Sequence, residues 1–309
     1  MINLTKLAAL MLLGAVSIAH AWDDRRASIP VIVNERTIPF YEFAIYVMPN
    51  SPIQVAFIDA TDGGSVTFLG QTLDLADAEL TAPAQPGLER LVIRNLSSDE
   101  EIIINVFTLT PAKLVDREQK LNGYRIGRYP STPRNGQDIY LPPKGFVEVT
   151  QGNKDVKVSP NFTLGQFVAK QASGYPKYVV LRSNLLLKLE NILATLNRAG
   201  HPVAGFTIMS GYRTPFYNRA IGNVQYSRHV WGGAADFFID DSPKDGRMDD
   251  LNKDGKVDRA DARWLSQFIE SMSQRGEFGR RIGGIGVYGS NSAHGPFVHV
   301  DVRGSRARW

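Results

Sequence analysis

The residues best suited to chemistry lie in the last third of the chain, where histidine and aspartate recur at close spacing. The chain has only five histidines; His229 precedes Asp236, and His299 follows later in the stretch His-Val-Asp. Imidazole nitrogen and carboxylate oxygen suit Zn²⁺, and three protein ligands leave a coordination position open for water, as in hydrolytic sites. Zinc lowers the pKa of bound water to about 7 and so supplies a nucleophile at neutral pH. The spacing therefore predicts a zinc site with an open position.

These residues belong to a longer pattern, Ser-x-His-x-x-Gly-x-Ala-x-Asp, which is met at every position. The matching residues are Ser227, His229, Gly232, Ala234 and Asp236. Together with the His-Val-Asp stretch and the closing residues 306–309, the pattern resembles the M15-type zinc D,D-peptidases. Members of that family cleave peptidoglycan stem peptides and share a fold with the hedgehog signalling domain. The resemblance covers roughly residues 160–309 and implies that His229, Asp236 and His299 bind zinc.

Four other residues are expected to assist the ligands or the substrate. Arg213 and His294 resemble an arginine and a histidine of the same family, the histidine belonging to its carboxypeptidase branch. A guanidinium suits a substrate carboxylate or carbonyl, and an imidazole with a pKa near ~6.5 suits proton transfer or oxyanion stabilisation. Ser227 and Asp301 are expected to support the ligands, since a carboxylate commonly orients a metal-bound imidazole.

One departure from the family pattern leaves the function open. Several members place a glutamate general base three residues before the last ligand, where this chain has Pro296. The base is then His294 or an acid such as Asp301, or there is no catalysis. The first reading is a D,D-carboxypeptidase or endopeptidase that hydrolyses D-centred amide bonds of stem peptides. The second is a non-catalytic zinc-containing module that binds cell-wall peptide or a protein partner.

A calcium site is predicted at residues 250–261, between the two halves of the zinc site. Oxygen ligands and a glycine recur there at the positions of an EF-hand loop. The loop residues are Asp250, Asn252, Asp254, Gly255, Lys256 through its carbonyl, Asp258 and Asp261. The aspartate at the last position resembles the calcium loops of dockerins, but a dockerin pairs two such loops, so no cohesin partner is implied. We expect Ca²⁺ to order this insertion.

The first residues have the pattern of a secretory signal peptide over residues 1–21. Lys6 precedes an apolar run at residues 7–19, and Ala-His-Ala forms a cleavage pattern before Trp22. The run is shorter than the ~20 apolar residues that span a bilayer, so no stable membrane anchor is expected after cleavage. The protein is predicted to be periplasmic or secreted. Because the chain has no cysteine, its stability must come from packed cores.

The net charge is small and excludes few classes of binding partner. The formal net charge is +4, and it falls to +3 without Lys6. Such a balance allows an anionic polymer as partner without requiring one. Three arginines near the end of the chain, Arg303, Arg306 and Arg308, are typical of a solvated surface, and no nucleic-acid partner is predicted.

Length and periodicity predict an α+β protein of two domains. Residues 22–128 contain short β-rich runs between turn residues, as in an all-β sandwich-like domain. The runs are 29–33, 53–58, 66–69, 91–94 and 102–107. Residues 129–158 are rich in proline, serine and glycine and are predicted to be a linker.

Residues 159–309 are predicted to form the zinc peptidase domain, a hedgehog/DD-peptidase-like antiparallel sheet with helices. Leucine spacing indicates a helix that is capped by Ser183 or Asn184 and ends near Gly200. A short helix follows Thr214, and another begins near Asp261. Strands are expected at 206–209, 283–288 and 297–301.

Overall fold

The computed structural model describes residues 22, 24–58 and 63–309. The predicted signal peptide at residues 1–21 therefore lies outside the described residues. Strands predominate and helices are few in the described part, which confirms the α+β class. Among the described residues no helix is both long and apolar enough to cross a bilayer.

Short strands make up most of the first half of the described chain. They are β1 (Arg26–Val33), β2 (Arg36–Phe40), β3 (Glu42–Val47), β4 (Pro52–Ile53), β5 (Val55–Phe57), β6 (Gly64–Phe68), β7 (Gln71–Asp74), β8 (Leu80–Thr81), β9 (Gly87–Asn95), β10 (Glu101–Thr108), β11 (Thr110–Pro111), β12 (Lys120–Leu121) and β13 (Tyr124–Arg125). Five of them form a sheet in the order β3-β10-β9-β6-β7, and β2-β1-β5 form another.

The second half mixes strands and helices. The strands are β14 (Gly145–Val149), β15 (Lys157–Ser159), β16 (Phe162–Thr163), β17 (Lys177–Val179), β18 (Thr207–Ser210), β19 (Ala234–Phe238), β20 (Gly284–Tyr288), β21 (Phe297–Asp301) and β22 (Ala307–Arg308). The α-helices are α1 (Ser183–Arg198), α2 (Pro215–Ala220) and α3 (Arg259–Gln274). Short 3₁₀ helices lie at Leu75–Asp77, Ala112–Leu114, Arg134–Gly136, Asp138–Tyr140, Leu164–Phe167, Arg228–Trp231 and Gly279–Arg281.

Each β-rich run predicted in the first half overlaps a strand, with one interruption. The run at 53–58 breaks at Gln54, because β4 pairs with β8 whereas β5 pairs with β1. The sequence reasoning missed β3, which runs parallel to β10. The sandwich-like packing of the two sheets stays a prediction.

Residues 129–158, predicted as a linker, are tied to the rest of the chain. Strand β14 pairs with β11 on one side and with β17 on the other. The Tyr129 hydroxyl donates to the Val230 carbonyl at 3.0 Å, and the Trp231 indole donates to the Leu141 carbonyl at 3.0 Å. The segment therefore packs against the turn that carries His229. The predicted two-domain division stays a prediction.

The sheet that carries the site has the order β18-β19-β21-β20-β22. Strand β19 runs antiparallel to β18 and β21, and β20 runs antiparallel to β21. Helix α3 packs on β20 and β21. Strand β21, at the centre of this sheet, is buried along its whole length, so side chains on this strand are held rigidly.

The helix ends show which capping residues were predicted correctly from the sequence. Thr214 caps α2 as predicted, since its hydroxyl accepts from the Tyr217 amide at 3.0 Å and Pro215 follows it. The predicted cap of α1 is wrong: Arg182 occupies the cap position without a side-chain bond, because Ser183 already lies in the first turn. Gly200 follows α1 with φ +83°, the left-handed conformation expected after a helix end.

Candidate metal centre

Three buried side chains from neighbouring elements converge at one point. Asp236 on β19 and His299 on β21 are paired directly across the sheet. His229 lies on the 3₁₀ helix that precedes β19. Its Nε2 is 3.2 Å from both Asp236 Oδ1 and His299 Nδ1, and those two atoms are 2.7 Å apart. The predicted ligand set is therefore brought together by the fold.

The donor set fits a zinc ion. Zinc bonds to nitrogen and oxygen of about 2.0–2.2 Å in a tetrahedron place the donor atoms about 3.3 Å from one another. Two of the separations here are 3.2 Å, close to this value, and the third, between Asp236 and His299, is shorter at 2.7 Å. Within the described residues, His229, Asp236 and His299 are the only three His, Cys, Asp or Glu side chains whose donor atoms all lie within 4.8 Å of one another.

Hydrogen bonds select the ring nitrogen that each histidine offers. His229 Nδ1 lies 2.6 Å from the Gly211 carbonyl, which can only accept, so Nδ1 carries the proton and Nε2 is free. His299 Nε2 lies 3.3 Å from Asp301 Oδ2, which leaves Nδ1 free. Both free nitrogens belong to the converging group. The partners of the rings thus prepare the neutral imidazoles that a metal requires.

The electrostatics of the group also favour a cation. Burial raises the pKa of the Asp236 carboxyl, but the attraction of His229 and the close contacts with both imidazoles outweigh burial and hold the pKa well below its usual range. Burial lowers the pKa of His229. Burial also acts to lower the pKa of His299, but its bonds to Asp236 and Asp301 raise it overall. The carboxylate is therefore ionised at neutral pH.

Gly232 explains one position of the sequence pattern. It ends the 3₁₀ helix that carries His229 and has φ +62°, a left-handed conformation. A Cβ atom there would lie 2.1 Å from the Val180 carbonyl oxygen. A side chain at this position would therefore displace the turn that places His229.

Asp301 lies behind His299 and is fully buried. Its carboxylate accepts from the Gly284 amide at 2.9 Å and from the Arg303 guanidinium. The Lys188 ammonium, also buried, donates to the Asp301 carbonyl at 2.9 Å. Asp301 does not line the cavity described below. This placement makes Asp301 a support for His299 and removes it from the candidates for general base.

Arg213 contacts a ligand in addition to facing the cavity. Its guanidinium donates to Asp236 Oδ2, the oxygen that does not face the histidines, and its Nε donates to Ser210 Oγ at 2.9 Å. Its backbone amide donates to the His229 carbonyl at 3.2 Å. Arg213 therefore orients two ligands, whereas the sequence predicted only a contact with substrate.

The three ligands lie in a cavity of about 760 Å³. Its described lining includes five cationic side chains and a single carboxylate, that of Asp236. The cationic residues are Arg134, Lys170, Arg213, Arg228 and Arg303. Ser227 and His294 line the same cavity. Of these residues, the sequence predicted roles on substrate for Arg213 and His294. It did not place Arg134, Lys170, Arg228 and Arg303 at the site, because they lie far apart along the chain.

His294 lies at the edge of the cavity and is partly exposed. Its Nδ1 is 2.8 Å from the Gly295 carbonyl, and its Nε2 is 2.8 Å from Asn291 Nδ2. The ring packs edge-on against Phe297, with centroids 4.9 Å apart. The ring therefore donates from Nδ1 and accepts at Nε2, and it lies apart from the metal ligands.

Trp309 forms a wall that the sequence reasoning did not identify. Its ring lies 5.1 Å from the ring of His299, and its Nε1 donates to the Tyr288 hydroxyl at 2.6 Å. A Cβ atom on Gly286 would lie 2.5 Å from Trp309 Nε1, and one on Gly284 would lie 2.7 Å from its ring. Glycine within a strand often marks such a close approach, so Gly284 and Gly286 in β20 were the sequence signal for this contact.

The predicted calcium residues lie in the turn before α3, except for Asp261, which lies in the first turn of that helix. Asp250 accepts from the Gly255 amide at 2.7 Å, and buried Asp261 accepts from the Leu251 amide at 2.9 Å. Asp258 caps α3 through the Ala260 amide. No three of the carboxylates of Asp250, Asp254, Asp258 and Asp261 bring their oxygens as close together as the donor atoms of the zinc ligands. Calcium at residues 250–261, including the Asn252 and Lys256 oxygens, stays a prediction.

The arginines near the end of the chain are paired with carboxylates. Arg303 binds Asp301, and both Arg306 and Arg308 bind Glu270 on α3. These pairs hold the last strand against the helix. The three charges therefore do not form an unpaired cationic surface.

Comparison with known families agrees with the geometry. A family model described as Peptidase M15 matches residues 160–262, which include His229 and Asp236 but not His299. The match supports an M15-family peptidase domain in this part of the chain. A comparison with curated proteins finds no match.

Proposed function

We propose that the protein is an exported zinc-dependent peptidase that hydrolyses D-centred amide bonds of peptidoglycan stem peptides. The observation that carries this proposal is the convergence of His229, Asp236 and His299 in a cavity with a cationic lining. The M15 match over residues 160–262 supports the peptidase class. Export rests on the signal-peptide pattern of residues 1–21.

His229 Nε2, Asp236 Oδ1 and His299 Nδ1 would hold the metal. When bound, zinc supplies Lewis-acid polarisation of a carbonyl and an activated water. Arg213 keeps Asp236 turned so that one oxygen faces the histidines, and Asp301 does the same for the His299 ring. The protein therefore presents its donors already oriented, which lowers the cost of ordering them on binding.

The charge of the cavity fits the proposed substrate class. Stem peptides carry free carboxylates, and the cavity wall contains Arg134 and Lys170, cations that, within the described part of the chain, are not paired with a carboxylate as Arg213 and Arg303 are and that attract such anions. Arg134 and Lys170 lie outside the group that contacts the ligands and are available to the substrate. Guanidinium and ammonium groups at the cavity wall would fix the peptide through its carboxylates.

His294 would act on the substrate at the edge of the same cavity. Its Nε2 accepts from Asn291 in this structure, and a substrate group can take the place of that donor. An imidazole at this position suits proton transfer to the leaving amine or stabilisation of the oxyanion. No glutamate is needed for this role, which is consistent with Pro296.

The test is an incubation of purified protein with defined muropeptides, with and without a chelator, followed by mass spectrometry. We expect loss of D-Ala or opening of cross-links that stops with the chelator and returns with zinc. Absence of any product from every muropeptide would contradict the proposal.

A non-catalytic zinc-containing module that binds cell-wall peptide or a protein partner is the second candidate. It is favoured by the partners that already occupy both ring nitrogens of His294 and by the lack of a carboxylate other than Asp236 in the described cavity lining. This candidate predicts metal-dependent binding of muropeptides, measured by calorimetry, without a product.

A further inference from the structure

A second cavity of about 440 Å³ adjoins the one that holds the candidate ligands. The two cavities share Met209, Ala293 and His294 in their walls. The wall of the first cavity also contains Arg134 and Lys170. The second cavity therefore lies beside the first, and His294 belongs to the wall of both.

The second cavity is built by two segments that flank the predicted peptidase elements. One is the insertion after β19, which contributes Gly246, Arg247, Met248 and Val257. The other is the loop 290–296 between β20 and β21. Within the described lining, the cavity has an arginine and no carboxylate, and several of its other side chains are apolar. This lining suits an uncharged or anionic peptide segment.

Hydrogen bonds hold both segments in place. In the insertion, buried Asp240 accepts from the Asp245 and Gly246 amides, and the Asp249 amide donates to the Ile239 carbonyl at 2.9 Å. In the loop, Asn291 Oδ1 accepts from the Ala293 amide at 2.8 Å and from the His294 amide at 3.1 Å. The second cavity is thus a formed site before any ligand arrives.

The size of the second cavity distinguishes between two modes of cleavage. A carboxypeptidase needs room for one terminal residue on the far side of the scissile bond, and D-alanine is small. A cavity of 440 Å³ lies in the range of about 300–1,000 Å³ that holds a ligand of many atoms. The extra room is useful when the substrate continues as a peptide on both sides of the bond.

We infer that the second cavity binds the peptide on the far side of the cleaved bond, so that the protein is an endopeptidase that opens cross-links between two stem peptides. This inference rests on the proposed function and decides between its two forms. In the reaction the amide C–N bond of the cross-link breaks, water adds hydroxyl to the carbonyl carbon, and the amine of the second stem peptide leaves with a proton.

The experiment compares two substrates and two variants of the full chain. The substrates are a muropeptide dimer joined through a D-alanyl cross-link and an uncross-linked pentapeptide monomer ending in D-Ala-D-Ala. Ser292→Trp fills the second cavity from an exposed loop position. Ser98→Trp is the matched control, an exposed serine outside both cavities.

We expect the wild type and Ser98→Trp to have the higher kcat/KM on the dimer. Ser292→Trp should lower the ratio of dimer to monomer kcat/KM by at least about tenfold, since binding energy far from the reacting bond is used in the transition state. Release of D-Ala from the monomer with an intact dimer overturns the inference and leaves the proposed function standing. Equal losses on both substrates in Ser292→Trp also overturn it. No product from either substrate overturns both.

Discussion

Asp301 Oδ2 lies 3.3 Å from His299 Nε2, on the side of the ring opposite the converging donor atoms. Arg303 and the Gly284 amide hold the same carboxylate, so it cannot turn away from the ring. The relationship selects the His299 tautomer with a free Nδ1. The buried Asp301 carboxylate thus acts on the candidate metal indirectly, through the His299 ring.

Replacement of that carboxylate should weaken metal binding without removing a ligand. We expect Asp301→Asn to lower zinc affinity by about 10–100-fold, the usual loss when a carboxylate behind a metal-bound histidine is changed. Affinity is measured by titration against a competing chelator on protein shown to be folded by circular dichroism. The matched control is Asp99→Asn, an exposed aspartate in the first half of the chain. Equal affinity in Asp301→Asn and the control would refute the role.

Removal of a proposed ligand should abolish metal binding. His229→Ala should lower the zinc content of the purified protein from about one ion per chain toward none, because two donors rarely retain zinc. Elemental analysis gives the zinc content directly. His201→Ala, which changes an exposed histidine beside Trp264, should keep its zinc. Full zinc content in His229→Ala would show that the ion is held elsewhere.

His294 should affect turnover and leave the metal in place. We expect His294→Ala to lower kcat by about 10²–10⁴-fold, the usual contribution of a positioned acid or base. Zinc content should match the wild type, since His294 contacts Asn291, Gly295 and Phe297 and none of the three ligands. Steady-state kinetics on a muropeptide and elemental analysis measure the two effects. Loss of zinc together with activity would assign His294 to the metal instead.

The close packing of Trp309 on β20 gives a stability prediction. Gly286→Ala should destabilise the protein by about 1–3 kcal/mol, the usual cost of an overpacked site, because the new Cβ would lie 2.5 Å from the Trp309 indole. Gly87→Ala on β9 is the matched control, since nothing lies within 4 Å of its Cβ position. Chemical denaturation measures both. The prediction fails when the two variants unfold at the same denaturant concentration.

Lys188 should make stability depend on pH. Burial lowers the pKa of Lys188 from 10.5 to about 8, so between these pH values the unfolded chain binds a proton that the folded chain has lost. The free energy of unfolding of the wild type should therefore rise with pH in this window relative to Lys188→Met, by up to about 3 kcal/mol. Denaturation at about pH 7.5, 9 and 10.5 measures the difference, since these values lie just below this window, inside it and at its upper end. A constant difference would mean that Lys188 keeps its proton.

Local signals in the sequence were sufficient for features that depend on neighbouring residues. Thr214 before Pro215 predicted the start of α2, and the leucine spacing predicted α1. The start of α1 was misplaced because tertiary contacts outweigh the N-cap preference for serine: the Arg182 side chain donates to the Trp231 carbonyl and its amide to the Gly232 carbonyl. Strand β3 was missed because its partner β10 lies far along the chain.

The sequence by itself determined which side chains can bind zinc: the pattern from Ser227 to Asp236 and the alternation that puts His299 and Asp301 on one face of a strand. Tertiary structure alone decided that Asp301 turns away from the cavity, that Arg213 holds Asp236, and that Trp309 forms a wall. It also decided that Arg134 and Lys170 join the cavity and that a second cavity lies beside the first. The physical reason is that ligand type and spacing are local properties, whereas orientation, charge and the shape of a cleft arise from contacts between distant segments.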